Sequence, residues 1–250
     1  GKTTLIKDGI SKILNRPFEF IPLAGIQDGS YFEGHSYTYE GSRHGKIVDI
    51  LIQNNCMNPI IYGDELDKVS ASIKGDEIIG LLTHLTDVTQ SSNFNDKYFS
   101  ELNLNLNKVI YIFSYNDESS INPILRDRMY KIETDGYNNS DKLVISKKYL
   151  IPKIIKDLNS QINITLTDEN IKFIITNYTE NEKGVRNLKR CLETIYNKLN
   201  LYNLVNENDE FKNTFFKNFK YEKCINDSHI KILLSSFNLK SNNVPFGMYN

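Results

Sequence analysis

No stretch of this 250-residue chain approaches the ~18–20 consecutive apolar residues that a bilayer-spanning helix needs, and mean hydropathy is −0.42. A helical membrane protein is excluded. Net charge is nearly absent too: 30 basic residues face 31 acidic ones, for −1 overall. There is no global positive field to gather nucleic acid or an anionic membrane, although a local basic patch stays open. Cysteine is scarce, odd in number and widely spaced (Cys56, Cys191, Cys224), which excludes a disulfide framework. It fits an intracellular setting, cytoplasmic or another reducing compartment, with the three thiols as small buried apolar groups. The opening Gly1-Lys2-Thr3-Thr4 lacks an apolar region and a cleavage site, so no signal peptide is read there. Asparagine is abundant but scattered, without a low-complexity tract, and no internal repeat is visible. At roughly 100–200 residues per domain, the length allows one large domain or a medium one with a small companion.

What is present is an ordered alternation. Leu5, Ile6, Ile10, Ile13 and Leu14 recur at helical spacing, which predicts a helix starting near Lys2. Phe18–Leu23 reads as a strand, and Ala24–Gly45, rich in Gly and Tyr without a lasting period, reads as a long functional loop. Ile47–Ile52 predicts a helix. Pro59-Ile60-Ile61-Tyr62-Gly63 is a short apolar run of the kind a parallel strand buried on both faces shows. A helix through Ile78–Leu85 and a second buried strand, Val109–Phe113, follow; this is the rhythm of an open α/β sheet. Beyond Thr134-Asp135-Gly136-Tyr137 the periods are helical only, at 143–158, 171–178 and 185–201. A boundary at 136 therefore separates an α/β domain (1–136) from a small helical domain with a C-terminal tail (137–250). Asn203–Lys223 reads as a polar excursion, Ile225–Leu239 as a closing element, and Val244–Asn250 as a tail.

Three groups of residues carry candidate chemistry. Gly1-Lys2-Thr3 is the end of the G-x-x-x-x-G-K-[ST] phosphate loop, in which backbone N–H groups at a helix N-terminus wrap phosphates. In that pattern Lys2 meets the β/γ-phosphates, Thr3 ligates Mg²⁺, and Gly1 and Thr4 flank them. Taken alone, a terminal Gly-Lys-Thr is equally an ordinary flexible end. Asp64-Glu65 closes a buried strand, at the sheet edge where open α/β folds bind ligands. One carboxylate can serve Mg²⁺ and the other polarise water, although acids also end strands simply where a chain returns to solvent. Asn116 falls at the equivalent edge of the next strand and is also a common turn residue.

Finer detail extends the pattern. Gly25-Ile26-x-Asp28, Gly34-His35-x-x-Thr38-Tyr39-x-Gly41, Gly45-Lys46-Ile47, Asp64-Glu65-x-Asp67-Lys68, Gly75-Asp76 and Phe94-x-Asp96-x-Tyr98 come in that order. Asp127-Arg128-Met129, Leu150-Ile151-Pro152-Lys153 and Gly184-Val185-Arg186-Asn187-Leu188-x-Arg190 follow. From Gly1 to about Leu199 the sequence resembles the AAA+ ATPase module of Lon proteases. The fold so implied is an AAA+ P-loop NTPase, α/β, with a parallel sheet sandwiched by helices and a small α-helical lid. The central first strand of that sheet belongs upstream of Gly1, a gap that predicts low stability for these residues alone. The resemblance also puts a Ser-Lys peptidase dyad in a domain after the ATPase, so no peptidase activity is expected from this stretch.

By the same resemblance the cofactors are ATP and Mg²⁺, with Asp64 the Mg²⁺-associated acid, Glu65 the residue that orients water, and Asn116 sensor 1. Arg128 matches the arginine finger that reaches a neighbouring subunit, with Arg126 as second candidate, and Arg186 matches sensor 2 in the lid. Tyr39 stands at the pore aromatic that grips unfolded polypeptide. The family usually follows it with an aliphatic residue where this chain has Glu40, which favours basic or mixed segments over apolar ones. Gly75-Asp76 resembles the second pore loop. His35 and His44 share the first pore-loop region without a third metal ligand. The partners that the resemblance implies are copies of the chain in a ring, a hexamer in this family, and a polypeptide substrate. A nucleic-acid-directed AAA+ motor, a non-catalytic nucleotide-dependent scaffold and a piece of a full-length Lon protease stay as alternatives.

Overall fold

The structure, a computed structural model, describes residues 1–69, 73–158, 166–179, 182–204 and 225–237. The chain divides into two compact units between Thr134 and Asp135. Cys224, the tail Val244–Asn250 and most of the polar stretch Asn203–Lys223 lie outside the described residues.

In the first unit the chain opens with α1, helical over Lys2–Thr4, widened to a π-turn over Leu5–Ile10 and α-helical again over Ser11–Leu14. It ends where Asn15 turns left-handed at φ +50°. Strand β1 (Phe18–Pro22), helix α2 (Ser30–Glu33), helix α3 (Lys46–Asn54), strand β2 (Ile60–Asp64), helix α4 (Ile73–Thr86) and helix α5 (Val88–Ser91) follow. A short antiparallel pair, β3 (Phe94–Asn95) and β4 (Asn103–Leu104), precedes β5 (Ile110–Phe113) and α6 (Pro123–Asp127). Pro123 sits at the start of α6, where its missing N–H costs nothing, and Asn122 caps it through the Ile124 amide at 2.9 Å.

The parallel sheet has the order β1-β2-β5, with Phe18 opposite Ile60 and Ile60 opposite Ile110. Alternation along β2 sends Ile60 and Tyr62 to one face and Ile61 to the other. On the first face they pack with Ile6 and Ile10 of α1, Phe18, Ile110 and Ile112. On the second, Ile61 joins a larger core with Ile21, Ile47, Ile50, Leu82 and Leu125. Helices therefore cover both faces, which is why the strands read as continuous apolar runs. Among the described strands β5 pairs only with β2. Its Tyr111, Ile112 and Phe113 line a cavity of about 450 Å³ with Ile10, Leu85 and Met129–Ile132 among the other walls. Among the described residues the Tyr111 hydroxyl, buried there, has no hydrogen-bond partner, and burial pushes its pKa upward.

The second unit is helical in its described residues. Helix α7 runs over Asn139–Ile145, a π-turn Ser146–Leu150, and Ile151–Asp157. The π-turn directly precedes Pro152, which has no N–H to continue the ladder. Reciprocal Asn138 and Asp141 bonds cap its start. Helix α8 (Asp168–Tyr178), α9 (Arg186–Leu204) and α10 (Asp227–Leu233) bury Ile171, Ile174, Leu188, Leu192, Ile195, Leu199 and Ile230 against one another. None of the described helices is long and apolar enough to cross a membrane.

Three local expectations are corrected. The segment Ala24–Gly45 is not one open loop, because it contains α2, with Phe32 buried against the sheet core. Gly75 and Asp76 lie inside the first turn of α4, not in a loop, since packing of Ile78, Leu81 and Leu82 carries the helix through two glycines. Cys191 is buried, with its thiol pushed up to about 11 by desolvation, whereas Cys56 is only half-buried beside the α3 terminus.

Candidate functional site

Parallel pairing brings the carboxyl ends of β2 and β5 side by side, and the first turn of α1 comes to the same edge. The Lys2 ammonium donates to Asn116 Oδ1 at 2.9 Å and to the Tyr115 carbonyl. Both acceptors are neutral. No carboxylate pairs with this lysine among the described residues, so its charge is open to an anion. The Thr3 side chain hydrogen-bonds the Tyr62 hydroxyl, which donates to Asp64 Oδ1 at 2.9 Å. Ser114 donates to the same oxygen. Oδ2 of Asp64 makes no hydrogen bond among the described residues and is the atom left for a cation. Burial is the main cause raising the Tyr62 pKa, so the hydroxyl stays protonated and donating.

Glu65 leaves this edge in the left-handed region, at φ +60° and ψ +47°. Such a conformation costs a non-glycine residue on the order of 1–3 kcal/mol. The Leu66 amide bonding the Ser114 carbonyl at 2.9 Å and the Lys68 amide bonding the Glu65 carbonyl at 3.0 Å hold it there. The result is an exposed Glu65 carboxylate beside the half-buried Asp64. Gly1 and Thr4, the other phosphate-loop candidates, are exposed at the helix start, where the Gly1 carbonyl accepts from the Leu5 amide at 3.0 Å.

The arginines occupy three environments. Arg128, just past α6, donates through Nη1 to the Asp87 carboxylate and, at 3.5 Å, to the Thr83 carbonyl. Arg126, two residues back, faces Glu118 at 3.9 Å, and Glu118 also holds Lys131 at 2.6 Å. Arg186 is the first residue of α9, in the second unit. Glu182 fixes that start by accepting from the Asn187 amide at 2.8 Å and the Leu188 amide at 3.4 Å, and Lys142 donates to the Glu182 carbonyl at 2.5 Å.

Tyr39 is 69% exposed and Tyr37, two residues before it, is 66% exposed. They belong to two linked turns, with Tyr39 N to Ser36 O and Ser42 N to Tyr39 O each at 3.1 Å; Glu40, between them, is exposed. Below the turns the stems are close. His35 N meets Arg43 O at 3.1 Å, Gly34 takes φ +75°, and a Cβ on Gly45 would lie 1.9 Å from the Phe32 carbonyl oxygen. Asp96, fully buried, accepts from the Gly45 amide at 2.7 Å, the Tyr98 amide at 2.8 Å and the Phe99 amide at 3.3 Å.

Several residues of the site carried no assigned role in the sequence. Tyr62 and Ser114 hold Asp64, Asp87 holds Arg128, and Asp96 anchors the Tyr39 loop. Two had a readable signal: Asp96 through the Phe94-x-Asp96-x-Tyr98 motif, and Tyr62 through its two-residue spacing from Asp64 on one strand face.

Comparison with known proteins gives concordant matches. Residues 158–211 match the model of the Lon protease AAA+ ATPase lid domain. The chain is 36% identical over 203 residues to a Lon protease homolog of Acanthamoeba polyphaga mimivirus, covering 80% of this chain and 20% of that protein. It is 43% identical over 191 residues to a Lon protease of Campylobacter jejuni, covering 76% and 24% respectively. Against the peroxisomal Lon protease homolog 2 of Zea mays the values are 39% over 196 residues, 78% and 22%. The chain thus spans about a quarter of these relatives or less. Among solved structures, Hsp104 in a closed state with ATPγS and FITC casein aligns at a TM-score of 0.61 and 16% identity, over 82% of this chain and 39% of that one. At that identity the likeness speaks to the fold alone, and the fold is AAA+.

Proposed function

The chain carries an AAA+ module of the Lon family, and from that premise we propose that it binds and hydrolyses ATP with Mg²⁺ and works in a homo-oligomeric ring, of six in keeping with the family, to pull on polypeptide. The observation that carries the proposal is the meeting of Lys2 with Asn116 and Tyr115, alongside Thr3 with Tyr62 and Asp64, at the ends of adjacent parallel strands. A phosphate chain needs a cation and backbone N–H groups at a helix start, and a metal needs one or two oxygens beside it. The residues present fit both. Lys2 would exchange its neutral acceptors for β/γ-phosphate oxygens. Thr3 and the unengaged Oδ2 of Asp64 would hold Mg²⁺, directly or through water, and the ion would neutralise phosphate charge and orient the oxygens.

Glu65, exposed and set apart from Asp64 by its left-handed backbone, would take a proton's share from the attacking water. The Asn116 amide, released from Lys2, would orient that water against the γ-phosphate. Arg128 is assigned to a neighbouring subunit's nucleotide, where a permanently charged planar fork suits a phosphoryl group. Arg186 is assigned to reading the γ-phosphate from the lid. Tyr39 would grip extended polypeptide, with Glu40 biasing the grip toward basic segments. The reading assigns no peptidase chemistry to these residues. The reading assumes a reducing intracellular setting, in which Cys56 and Cys191, free thiols among the described residues, would stay reduced.

The test is ATP turnover by the full-length protein, with Glu65→Gln as control and with unfolded polypeptide or DNA added separately. Turnover that polypeptide stimulates and that falls at least about 100-fold in Glu65→Gln is expected. Stimulation by DNA alone would replace the reading with a nucleic-acid motor, and nucleotide binding without turnover would replace it with a scaffold.

A further inference from the structure

Arg128 is held from one side only. Nη1 takes both of its acceptors, the Asp87 carboxylate and the Thr83 carbonyl. Nη2 and Nε make no hydrogen bond among the described residues. Asp87 is no loose surface partner, because it is the N-cap of α5. Its Oδ1 accepts from the Thr89 amide at 2.8 Å and the Gln90 amide at 3.2 Å, while its own amide donates to His84 O at 3.3 Å. One carboxylate therefore has its oxygens divided: Oδ1 is tied to backbone and Oδ2 is tied to the guanidinium. The Arg128 hydrogen bond, followed by those from the two amides, holds the Asp87 carboxyl below its usual range.

A guanidinium carries five N–H donors in a rigid planar fork, so fixing one nitrogen fixes the direction of the other two. We propose that Asp87 is a positioning residue for Arg128: it anchors Nη1 and leaves the Nη2–Nε edge unengaged in a fixed direction, preset to receive an anionic oxygen of the nucleotide carried by a neighbouring copy of the chain. The inference rests on the arginine-finger reading of Arg128. Asp87 itself touches neither nucleotide nor reacting atoms. It removes the rotamer search that a long side chain would otherwise make at each turnover. The 41-residue separation of the pair means that α4, α5 and α6 are all needed to set this geometry.

Asn caps a helix about as well as Asp, so Asp87→Asn keeps the α5 cap through its one carbonyl oxygen but turns an NH₂ donor toward Arg128, removing the charge and the acceptor that Nη1 meets, whereas Asp87→Ala removes the cap as well. In the full-length protein, Asp87→Asn is expected to lower kcat for ATP roughly tenfold with KM and Tm unchanged. Asp87→Ala should show the same kcat loss with a lower Tm. In an Arg128→Ala background, Asp87→Asn should take nothing further from the residual turnover. Wild-type kcat in Asp87→Asn, faster turnover, or an additional loss in the Arg128→Ala background would each overturn the inference. The two layers separate cleanly. Wild-type turnover in Arg128→Ala would remove the finger reading itself, whereas a dead Arg128→Ala beside an unaffected Asp87→Asn would remove only the positioning role.

Discussion

Asp96 is the residue whose loss has the most calculable effect on the first unit. Its carboxylate is fully buried and accepts three backbone N–H bonds, from Gly45 at 2.7 Å, Tyr98 at 2.8 Å and Phe99 at 3.3 Å. Gly45 opens α3 and closes the Tyr39 loop. The neighbouring Lys97 reinforces the attachment, its amide reaching Glu33 O at 2.7 Å and its ammonium reaching the Glu33 carboxylate at 2.9 Å. Asp96→Ala removes hydrogen bonds to a charged acceptor, worth about 1.5–3 kcal/mol each, and leaves a buried amide unsatisfied at about 1–3 kcal/mol. Tyr98 and Phe99 can recover part of this from water, so a net loss of about 3–5 kcal/mol is expected. At about 2–4 °C per kcal/mol for a chain of this size, Tm should fall by roughly 6–20 °C. Asp96→Asn keeps one acceptor oxygen but sets an NH₂ group against a donor, and should lose about half as much. Urea unfolding gives the energy, and hydrogen exchange at the Gly45 amide locates it. A loss below about 1 kcal/mol in Asp96→Ala, with the Gly45 amide still protected, would refute the reasoning.

Two further predictions follow from the same structure. Replacing Glu40 by Ile should shift translocation from basic or mixed peptides toward apolar ones, because Glu40 is the exposed charge beside the exposed Tyr39; competition between a basic and an apolar peptide measures it, and an unchanged preference would sink the idea. The carboxyls of Asp28, Asp49 and Asp87 lie below the ordinary value, held there chiefly by hydrogen bonds from the Ser30 hydroxyl, the Lys46 ammonium and the Arg128 guanidinium respectively. A carboxyl depressed in the folded state adds stability that is present above its unfolded pKa and is lost as pH falls through the folded one. These three should therefore leave stability flat from pH 7 down to about 4 and weaken it only below. An NMR titration of the side-chain carboxyls checks this, and any of the three titrating at or above its usual value would contradict it.

Much of the framework was legible because it follows from burial. Ile60-Ile61-Tyr62 and Ile110-Tyr111-Ile112 are apolar at every position since helices cover both sheet faces, and that continuity predicts parallel strands without reference to pairing. The placement of Asp64 at a strand end follows from the same run. Gly75 and Asp76 were misread for a different reason. The family resemblance points to a second pore loop there, whereas the apolar stripe of α4 buries enough area to carry the helix through Gly75 at a cost of about 1 kcal/mol. What stayed hidden is long-range polar pairing. Lys2 and Asn116 are 114 residues apart, Gly45 and Asp96 are 51 apart, and nothing local in any of the four announces its partner.

The polar groups at the strand ends also explain why the candidate site has few moving parts. Ser114, Tyr115 and Asn116 are consecutive, and each engages a different component: Ser114 bonds Asp64, the Tyr115 carbonyl takes Lys2, and the Asn116 side chain takes Lys2 as well. The Ser114 amide is in turn bonded to Gly63 O at 2.9 Å, and its carbonyl accepts from Leu66 N. This three-residue segment is therefore tied to β2 through backbone on one side and meets the helix start through the Lys2 side chain on the other. Backbone ties to a packed sheet resist displacement, whereas a lysine on four rotatable bonds does not. In the proposed reading an arriving anion would leave Asp64 and Asn116 held by the sheet edge, and Lys2 would be the group that changes partners. The Tyr39 loop is built the opposite way: its tip is exposed, and only its stems are fixed, through Gly45 and Asp96. On the proposed function, a rigid edge would serve chemistry and an anchored but open loop would serve contact, dividing the two tasks between parts of the fold that differ in the physical property each needs.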